Sequence, residues 1–404
     1  MNLRARYRDL VASAPRVYWI VWWGTLINRL GTFVIPLLTI YLTQQRGLTG
    51  EEAGAIVSVY GLGSILASFV GGYFADHVGR RFTMVLSLVS GAGLMVVLGR
   101  LDDLVAIEVV VGLLGFAGEM YRPAVSAFVS DVTPEAQRRR AYGLLYWAVN
   151  LGWAVAAAVG GAIATYDFHI LFYVDAITMA AFGVLVAVAI PETRPTAAVR
   201  ADQPPSAAWW RDRVFVIFVA INFLMVLLPY QAGAALSLHM TAQGFSPVEY
   251  GLVLACNGVL IVLFQPWLTA RIDRYDANRI LVAAALLYGG GLAMHGLASL
   301  LIVHMAAAAV WTIAEILESP TRTALIALMA PADARGRYQG AFVMTWGAGQ
   351  LLGPRLGTII LGRLGAPALW LGCLGLGSFV AIAFAATARD RRARVAADLA
   401  KLTG

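Results

Sequence analysis

The sequence predicts an all-α polytopic membrane protein, with twelve transmembrane helices in two pseudo-symmetric six-helix bundles. Three observations carry that expectation. Of 404 residues, 60% are hydrophobic and only 13% charged, against about a quarter charged in ordinary soluble domains. Apolar runs of about 20 residues, long enough to cross a roughly 30 Å hydrocarbon layer as helices, follow one another with short polar breaks. One offset of 197 positions superposes the first half of the chain on the second.

The apolar runs fall near 17–43, 52–75, 82–99, 104–130, 139–165 and 168–190, then near 214–241, 248–270, 279–299, 301–329, 337–362 and 367–388. Arg4, Arg6, Arg8 and Arg16 precede the first run, which continues to about Thr43 without a small-residue cleavage pattern. It therefore reads as a retained helix and not a signal peptide. Lys and Arg near helix ends are held on the cytoplasmic side. The N-terminus, Arg80/Arg81, Arg138 to Arg140, the 191–213 stretch, Arg271 to Arg279, Arg335/Arg337 and Arg389 to Arg394 all fall on one side. The alternate loops, Gln44 to Glu52 and Gly244 to Glu249, are nearly free of Arg. Both termini are thus expected in the cytoplasm, on a multi-pass protein of the cell membrane. The polar, proline-bearing stretch from Pro191 to Arg213 reads as a linker, dividing the chain into a bundle at 1–190, a cytoplasmic linker at 191–213 and a bundle at 214–404.

Under the offset, Gly47 falls on Gly244, Gly54 on Gly251, Asp76 on Asp273, Pro123 on Pro320, Pro134 on Pro331, Arg140 on Arg337, Gly143 on Gly340 and Gly152 on Gly349. Such repeats characterise secondary transporters, whose two bundles rock about a midplane site. The formal charge of +7 is spread over short loops and the two ends and forms no groove, so a lipid bilayer is the expected partner and nucleic acid is not. Cys256 and Cys373 lie inside apolar runs and read as small buried hydrophobes. His239, His295 and His304 read as scattered interfacial residues, with no metal-ligand spacing. No P-loop, catalytic triad or metal motif is present, which argues against an enzyme or an ATP-driven pump and leaves protons as the one expected coupling ion, with no cofactor.

The loop Gly72-Tyr73-Phe74-Ala75-Asp76-His77-Val78-Gly79-Arg80-Arg81 resembles the G-x-x-x-D-x-x-G-R-R/K signature of the major facilitator superfamily, and Asp273 to Arg279 resembles its degenerate second copy. With twelve runs, a central linker and the repeat, the resemblance covers the whole chain. It implies that Asp76 and Arg80 form a cytoplasmic latch, with Asp131 as partner, and that helices one, four, seven and ten line a central cavity. Gly349-Gln350-Leu351-Leu352-Gly353-Pro354-Arg355-Leu356-Gly357 resembles the G-x-x-x-G-P-x-x-G motif of the drug:proton antiporter branch. That branch carries the motif on the fifth helix. Here it lies on the eleventh, and small residues at this spacing equally permit close helix packing.

An ionisable side chain near the bilayer centre costs at least about 2.5 to 3.5 kcal/mol. Arg29, Glu119, Arg122, Glu315 and Glu318 lie at that depth, with Arg322 one turn further. Glu119 and Arg122 share one helix face, as do Glu315, Glu318 and Arg322. These charges sit on three of the four helices that the resemblance assigns to the cavity; the seventh contributes Asn222 and Gln231. Two carboxyls one turn apart on an apolar helix cannot both ionise cheaply, so one of Glu315 and Glu318 is expected to hold a proton. That pair, with Glu119 behind it, forms the candidate proton-coupling group; a static network of salt bridges between bundles is the alternative. Asn28, Arg29, Tyr121, Arg122, Asn222, Gln231, Trp311 and Trp346 are the candidate substrate contacts. Tyr146 and Trp147 lie near enough to extend an aromatic wall for an amphipathic or cationic molecule. Asp175 on the sixth helix reads either as functional or as a helix-packing hydrogen-bond group.

The expected function is proton-coupled export of small amphipathic drugs or metabolites by a monomer. Uptake of peptides or organic anions is the alternative, because Glu119-Met120-Tyr121-Arg122-Pro123 with Ser126 resembles the fourth-helix segment of proton-coupled oligopeptide symporters, though only Asn28-Arg29 stands where those have a first-helix acidic motif. A non-transporting membrane sensor would be a different class; its expected mark, an enlarged soluble domain or an uncharged cavity, is not visible.

Overall fold

The computed structural model describes residues 14–193, 209–272, 274–330 and 335–403. The sequence expectations at Arg4, Arg6, Arg8, Asp273, Pro331 and linker positions 194–208 lie outside the described residues. Among the latter, eleven helices are long and apolar enough to cross a membrane. They are span 1 (Arg16–Gln44), span 2 (Gly50–His77), span 3 (Arg80–Leu98), span 4 (Leu104–Val132), span 5 (Ala141–Ala164) and span 6 (Phe168–Ala189). Span 7 (Arg213–Ala242), span 8 (Pro247–Gln265), span 9 (Ala277–Leu297) and span 10 (Leu301–Ile326) follow. The last, Tyr338–Ala386, is broken at Gly365, whose φ of 84° no other residue type adopts cheaply. It therefore makes two crossings, spans 11 (338–364) and 12 (366–386), for twelve in all.

The repeat is visible in local chemistry. Thr49 and Glu52 form a capping box at the start of span 2: the Glu52 carboxylate accepts from the Thr49 N–H at 2.9 Å, and the Glu52 N–H donates to Thr49 Oγ1 at 3.3 Å. Ser246 and Glu249, 197 positions on, make the same two bonds at 2.8 and 3.3 Å. Each box satisfies helix N–H groups that would otherwise lack partners. Gly47 and Gly244, likewise related, turn the chain before each box with φ of 67° and 88°.

Three of the four spans expected to line a cavity are discontinuous, which periodicity alone did not predict. Span 1 breaks at residues 31–33, span 4 at Met120, and span 7 passes through a short 3₁₀ turn at Pro229–Ala232. Span 10 stays helical but carries Pro320. Irregular backbone at this depth is tolerated only where protein or water satisfies the freed groups, so these segments cannot face lipid.

Glycines in spans 5 and 11 accommodate the breaks. A Cβ on Gly152 would lie 2.4 Å from Arg29 Cβ, and one on Gly160 2.9 Å from Phe33. At the related positions, Cβ atoms on Gly349 and Gly357 would lie 2.5 Å from Val226 and 1.9 Å from Gln231. The glycine motif of span 11 thus packs onto the break of span 7, as span 5 packs onto that of span 1.

The two halves touch along spans 2 and 11 and spans 5 and 8, on the side away from the chain ends. A Cβ on Gly54 would meet Thr358 at 2.1 Å, one on Gly61 the Leu351 backbone N at 2.4 Å, and one on Gly251 the Ala157 carbonyl at 2.3 Å. The Arg355 N–H donates to Ser58 Oγ at 3.1 Å, and Arg363 forks onto Glu51 at 2.8 and 2.9 Å. Towards the side of the chain ends, a Cβ on Gly143 of span 5 or Gly340 of span 11 would meet nothing. The halves are interlocked on one face and part towards the other.

His239, His295 and His304 do lie near span ends, but they are neither scattered nor exposed. They are 8%, 0% and 0% exposed, and they gather in the second half. His295 Nδ1 and His304 Nδ1 lie 2.8 Å apart, His304 Nε2 is 2.9 Å from Gln243 Oε1, and Trp370 stands 5.4 to 5.5 Å from two of the rings. Sequence spacing hid this because the three come from spans 7, 9 and 10.

The terminal helix Ala388–Thr403 is docked through its arginines. Arg391, 1% exposed, donates to Asn278 at 2.8 Å and to the Phe384 carbonyl at 2.5 Å. Arg392 bonds Asp276 at 3.1 Å, and that bond is the main reason the Asp276 carboxyl, in the loop before span 9, is held below the usual carboxylate range.

Candidate functional site

The charged residues of the membrane interior form two clusters, one in each half, facing each other across the space between them. In the first half, Arg122 Nη1 donates to Glu119 Oε2 at 2.7 Å and the Tyr60 hydroxyl donates to Oε1 at 2.9 Å. Arg29 Nη2 donates to the Tyr121 hydroxyl at 2.5 Å. Glu119 and Tyr121 are two residues apart, so on the helix they point to nearly opposite sides, one towards the open space and one into the half. Arg122 is 58% exposed at its side chain and Glu119 12%: the pair stands at the edge of the open space.

In the second half, Arg322 Nη2 donates to Glu318 at 2.5 Å with both side chains 1% exposed. Arg322 Nη1 donates to Asn222 Oδ1 at 2.8 Å, and Asn222 in turn donates to Thr345 Oγ1 at 3.0 Å. The guanidinium also lies 5.2 Å from the Trp346 ring centre and 5.5 Å from that of Phe342, within range of a cation–π contact. Glu315, one turn before Glu318, accepts from Asn257 Nδ2 at 2.9 Å. Among the described residues no ion pair involves Glu315.

Each cluster is completed from the opposite half. Tyr146 of span 5 reaches Ser319 and stands in the field of Glu315 and Glu318. Tyr230 of span 7 stands in the field of Arg122 and Glu119, with its hydroxyl donating to the Trp346 carbonyl at 3.1 Å. Tyr60, Asn257 and Tyr230 were not singled out in the sequence, although one signal was available: the 197 offset places Tyr60 on Asn257, and each bonds the carboxylate of its own half.

Six of the eight expected substrate contacts are turned into their own halves: Arg29 and Tyr121, bonded to each other, Asn222, held between Arg322 and Thr345, and Gln231, Trp311 and Asn28. Gln231 donates to the carbonyls of Leu227 and Gly353 at 2.9 and 3.1 Å, tying span 7 to span 11. Trp311 is 4% exposed and stacks on Tyr288 at 6.2 Å. Asn28 is 4% exposed and lines a small cavity inside the first half with Arg29. Trp147 stacks on Trp22 at 6.3 Å. The residues left facing the space between the halves are Glu119, Arg122, Tyr146, Tyr230, Glu315 and Trp346.

At the signature loop the structure brings the three expected residues together. Arg80 lies 3.0 Å from Asp76 and 3.1 Å from Asp131. The sequence reading missed the first residues after span 6. Glu192 accepts the Arg80 and Arg81 N–H groups at 2.7 and 3.2 Å, capping span 3, and Thr193 donates to Asp131 at 2.9 Å. Gly79 has φ of 142°, and a Cβ there would lie 2.3 Å from Glu192 Oε2. Gly79→Ala is therefore expected to destabilise the protein by about 1 to 3 kcal/mol, read by unfolding in detergent. Gly72→Ala, at a position where a Cβ meets nothing, is the matched control; equal stability of the two variants would refute this account of the loop.

The sequence profile of the Major Facilitator Superfamily matches residues 21–232 and again 215–402. A Na(+), Li(+), K(+)/H(+) antiporter of Planococcus maritimus is 26% identical over 80% of this chain and 84% of its own length. The quinolone resistance protein NorA of Staphylococcus aureus strain MSSA476 is 25% identical over 63% of this chain and 66% of its own. Among solved structures, a POT family transporter in complex with a thioalcohol-conjugated peptide superposes with a TM-score of 0.81 at 16% identity, covering 93% of this chain and 97% of that one. At that identity the likeness speaks to the fold.

Proposed function

The chain belongs to the Major Facilitator Superfamily and is a membrane transporter, and within that frame we propose that it exports small amphipathic cations in exchange for protons, with Glu315 as the proton carrier. One observation carries this reading. Glu119 and Glu318 each hold an arginine at hydrogen-bond distance, whereas Glu315 is bonded by the neutral Asn257 and feels Arg322 only at longer range, beyond the Glu318 carboxylate that the guanidinium already pairs. A carboxyl at membrane depth without a directly paired cation is the group most readily neutralised by a proton or by a bound cationic substrate. Proton and substrate then compete for one site, which is how antiport couples them. Arg122, Tyr146, Tyr230 and Trp346 supply the surrounding polar and aromatic wall. The related Planococcus and Staphylococcus proteins, named for cation:proton exchange and quinolone resistance, support export.

In this reading the chain ends lie in the cytoplasm, as the loop arginines suggest. The interlocked face with Glu51 and Arg363 is the outer one, so the conformation is open inward. The Asp76, Arg80 and Asp131 cluster acts as the cytoplasmic latch when the halves exchange positions, and the protein works as a monomer.

The test is uptake of a fluorescent lipophilic cation into proteoliposomes under an imposed pH gradient. Glu315→Gln is expected to abolish gradient-driven accumulation while dye exchange without a gradient persists. Gradient-driven transport at the wild-type rate in Glu315→Gln would remove the carrier assignment. A peptide or organic anion, but no cation, moving with the gradient would replace export by uptake.

A further inference from the structure

Asp175 of span 6 is 2% exposed and takes no part in the reading above. Its carboxyl lies against the break in span 1, where the Phe33 and Val34 N–H groups point at it. A cap on the second half of that span is the simplest role for it. Capping, however, leaves Asp175 Oδ2 with no partner.

That carboxyl lines a cavity of about 30 Å³ inside the first half, shared with Asn28, Arg29, Tyr60, Glu119 and Tyr121. Two further atoms on these side chains are buried and unpartnered, Asn28 Oδ1 and Arg29 Nε. Two acceptors and one donor are the complement of a single water, which accepts once and donates twice, and the cavity is large enough to hold one. A bare cation is disfavoured, because the Arg29 guanidinium lines the same cavity and like charges at short range in a low dielectric repel strongly.

Charge accounting gives the cavity a purpose. Arg29, Arg122, Arg322 and, on span 11, Arg355 stand among four acids, Glu119, Asp175, Glu315 and Glu318. Two arginines are taken by Glu119 and Glu318. Arg29 lies in the field of both Glu119 and Asp175, is bonded to the Tyr121 hydroxyl, and forms no ion pair with either acid. We infer that this cavity is a second proton-binding site, internal to the first half, in which Asp175 takes the proton through a bound water. Arg29 links it to the space between the halves: movement of the guanidinium towards Asp175 expels the proton, and movement towards Glu119 lets Asp175 bind one again. The other titratable groups facing the cavity are the Tyr60 and Tyr121 hydroxyls and Glu119; span 3 contributes only Met95.

The test is pH-difference infrared spectroscopy of the purified protein in lipid nanodiscs, without substrate. As pH falls, carbonyl bands of newly protonated carboxyls appear. Asp175→Asn is expected to remove one band component, and Asp175→Glu to shift that component. Glu315→Gln is expected to remove a different one, so this result and the carrier assignment stand or fall separately. Coincident difference spectra for wild type and Asp175→Asn would overturn the inference. If the Asn variant does not fold, the Glu variant decides, and an unshifted spectrum from it overturns the inference equally.

Discussion

Glu318→Gln is expected to destabilise the protein by about 3 to 5 kcal/mol, the usual consequence of removing one partner from a buried ion pair. The physical reason is the 1% exposure of both side chains: the remaining guanidinium keeps Asn222 but loses its counter-charge, and an arginine cannot shed its proton to escape. The reciprocal variant behaves differently. Arg322→Leu leaves a carboxyl that can take up a proton, so the contribution of this position to the variant's own stability should rise as pH falls, while in Glu318→Gln, which has no titrating carboxyl here, it should not. The double variant removes both charges and should recover most of the lost stability. Unfolding in detergent across a pH series measures all three, and additive losses in the double variant would show that the pair is not coupled.

Gly61→Leu is expected to force the interlocked face apart. The obstacle to a Cβ there is backbone, the Leu351 N at 2.4 Å and the Gln350 carbonyl carbon at 2.6 Å, which cannot rotate aside as a side chain could. Overpacking of about 1 to 3 kcal/mol raises the population of the alternative state by about 5- to 150-fold. The readout is labelling of Thr358→Cys by a membrane-impermeant thiol reagent, in a chain whose Cys256 and Cys373 are replaced by alanine. Thr358 is 1% exposed, so labelling starts slow and should accelerate in the Gly61 variant. Gly143→Leu, at a position with no neighbour, should leave it unchanged. Equal protection of Thr358→Cys in all three chains would mean that this contact does not govern the conformation.

Much of the fold was legible because hydropathy and repeats are properties of the chain read in order. Span existence follows from run length, and the 197 offset reappears as matching capping boxes at Thr49 and Ser246 and as matching glycine contacts at Gly152 and Gly349. The site was legible to the level of a helix face. Periodicity put Glu315, Glu318 and Arg322 on one side of span 10 but could not say that Glu318 would take the arginine and Glu315 an asparagine from span 8. The charges were expected to converge on one chamber; Glu119, Arg122 and Glu315 do face the space between the halves, while Arg29, Asp175, Glu318 and Arg322 are buried within their own half, which run length and periodicity could not resolve. The histidine cluster was invisible for a similar reason. Its members are far apart in sequence, and only the packing of three spans makes them neighbours.

Span 1 has the least apolar of the membrane windows, with a mean hydropathy of 1.4, yet 78% of that window is buried, the highest share of any span. It is also made early. Its most polar residues, Asn28 and Arg29, are shielded in the finished protein by Gly152 of span 5 and by the surroundings of Asp175 in span 6, which leave the ribosome more than a hundred residues later. Until then those groups have at most the partial cover of spans 2 to 4, such as Tyr60 and Tyr121. Biogenesis therefore depends on the insertion machinery retaining the first segment, or on that segment waiting near the bilayer surface, until the rest of its half has been synthesised.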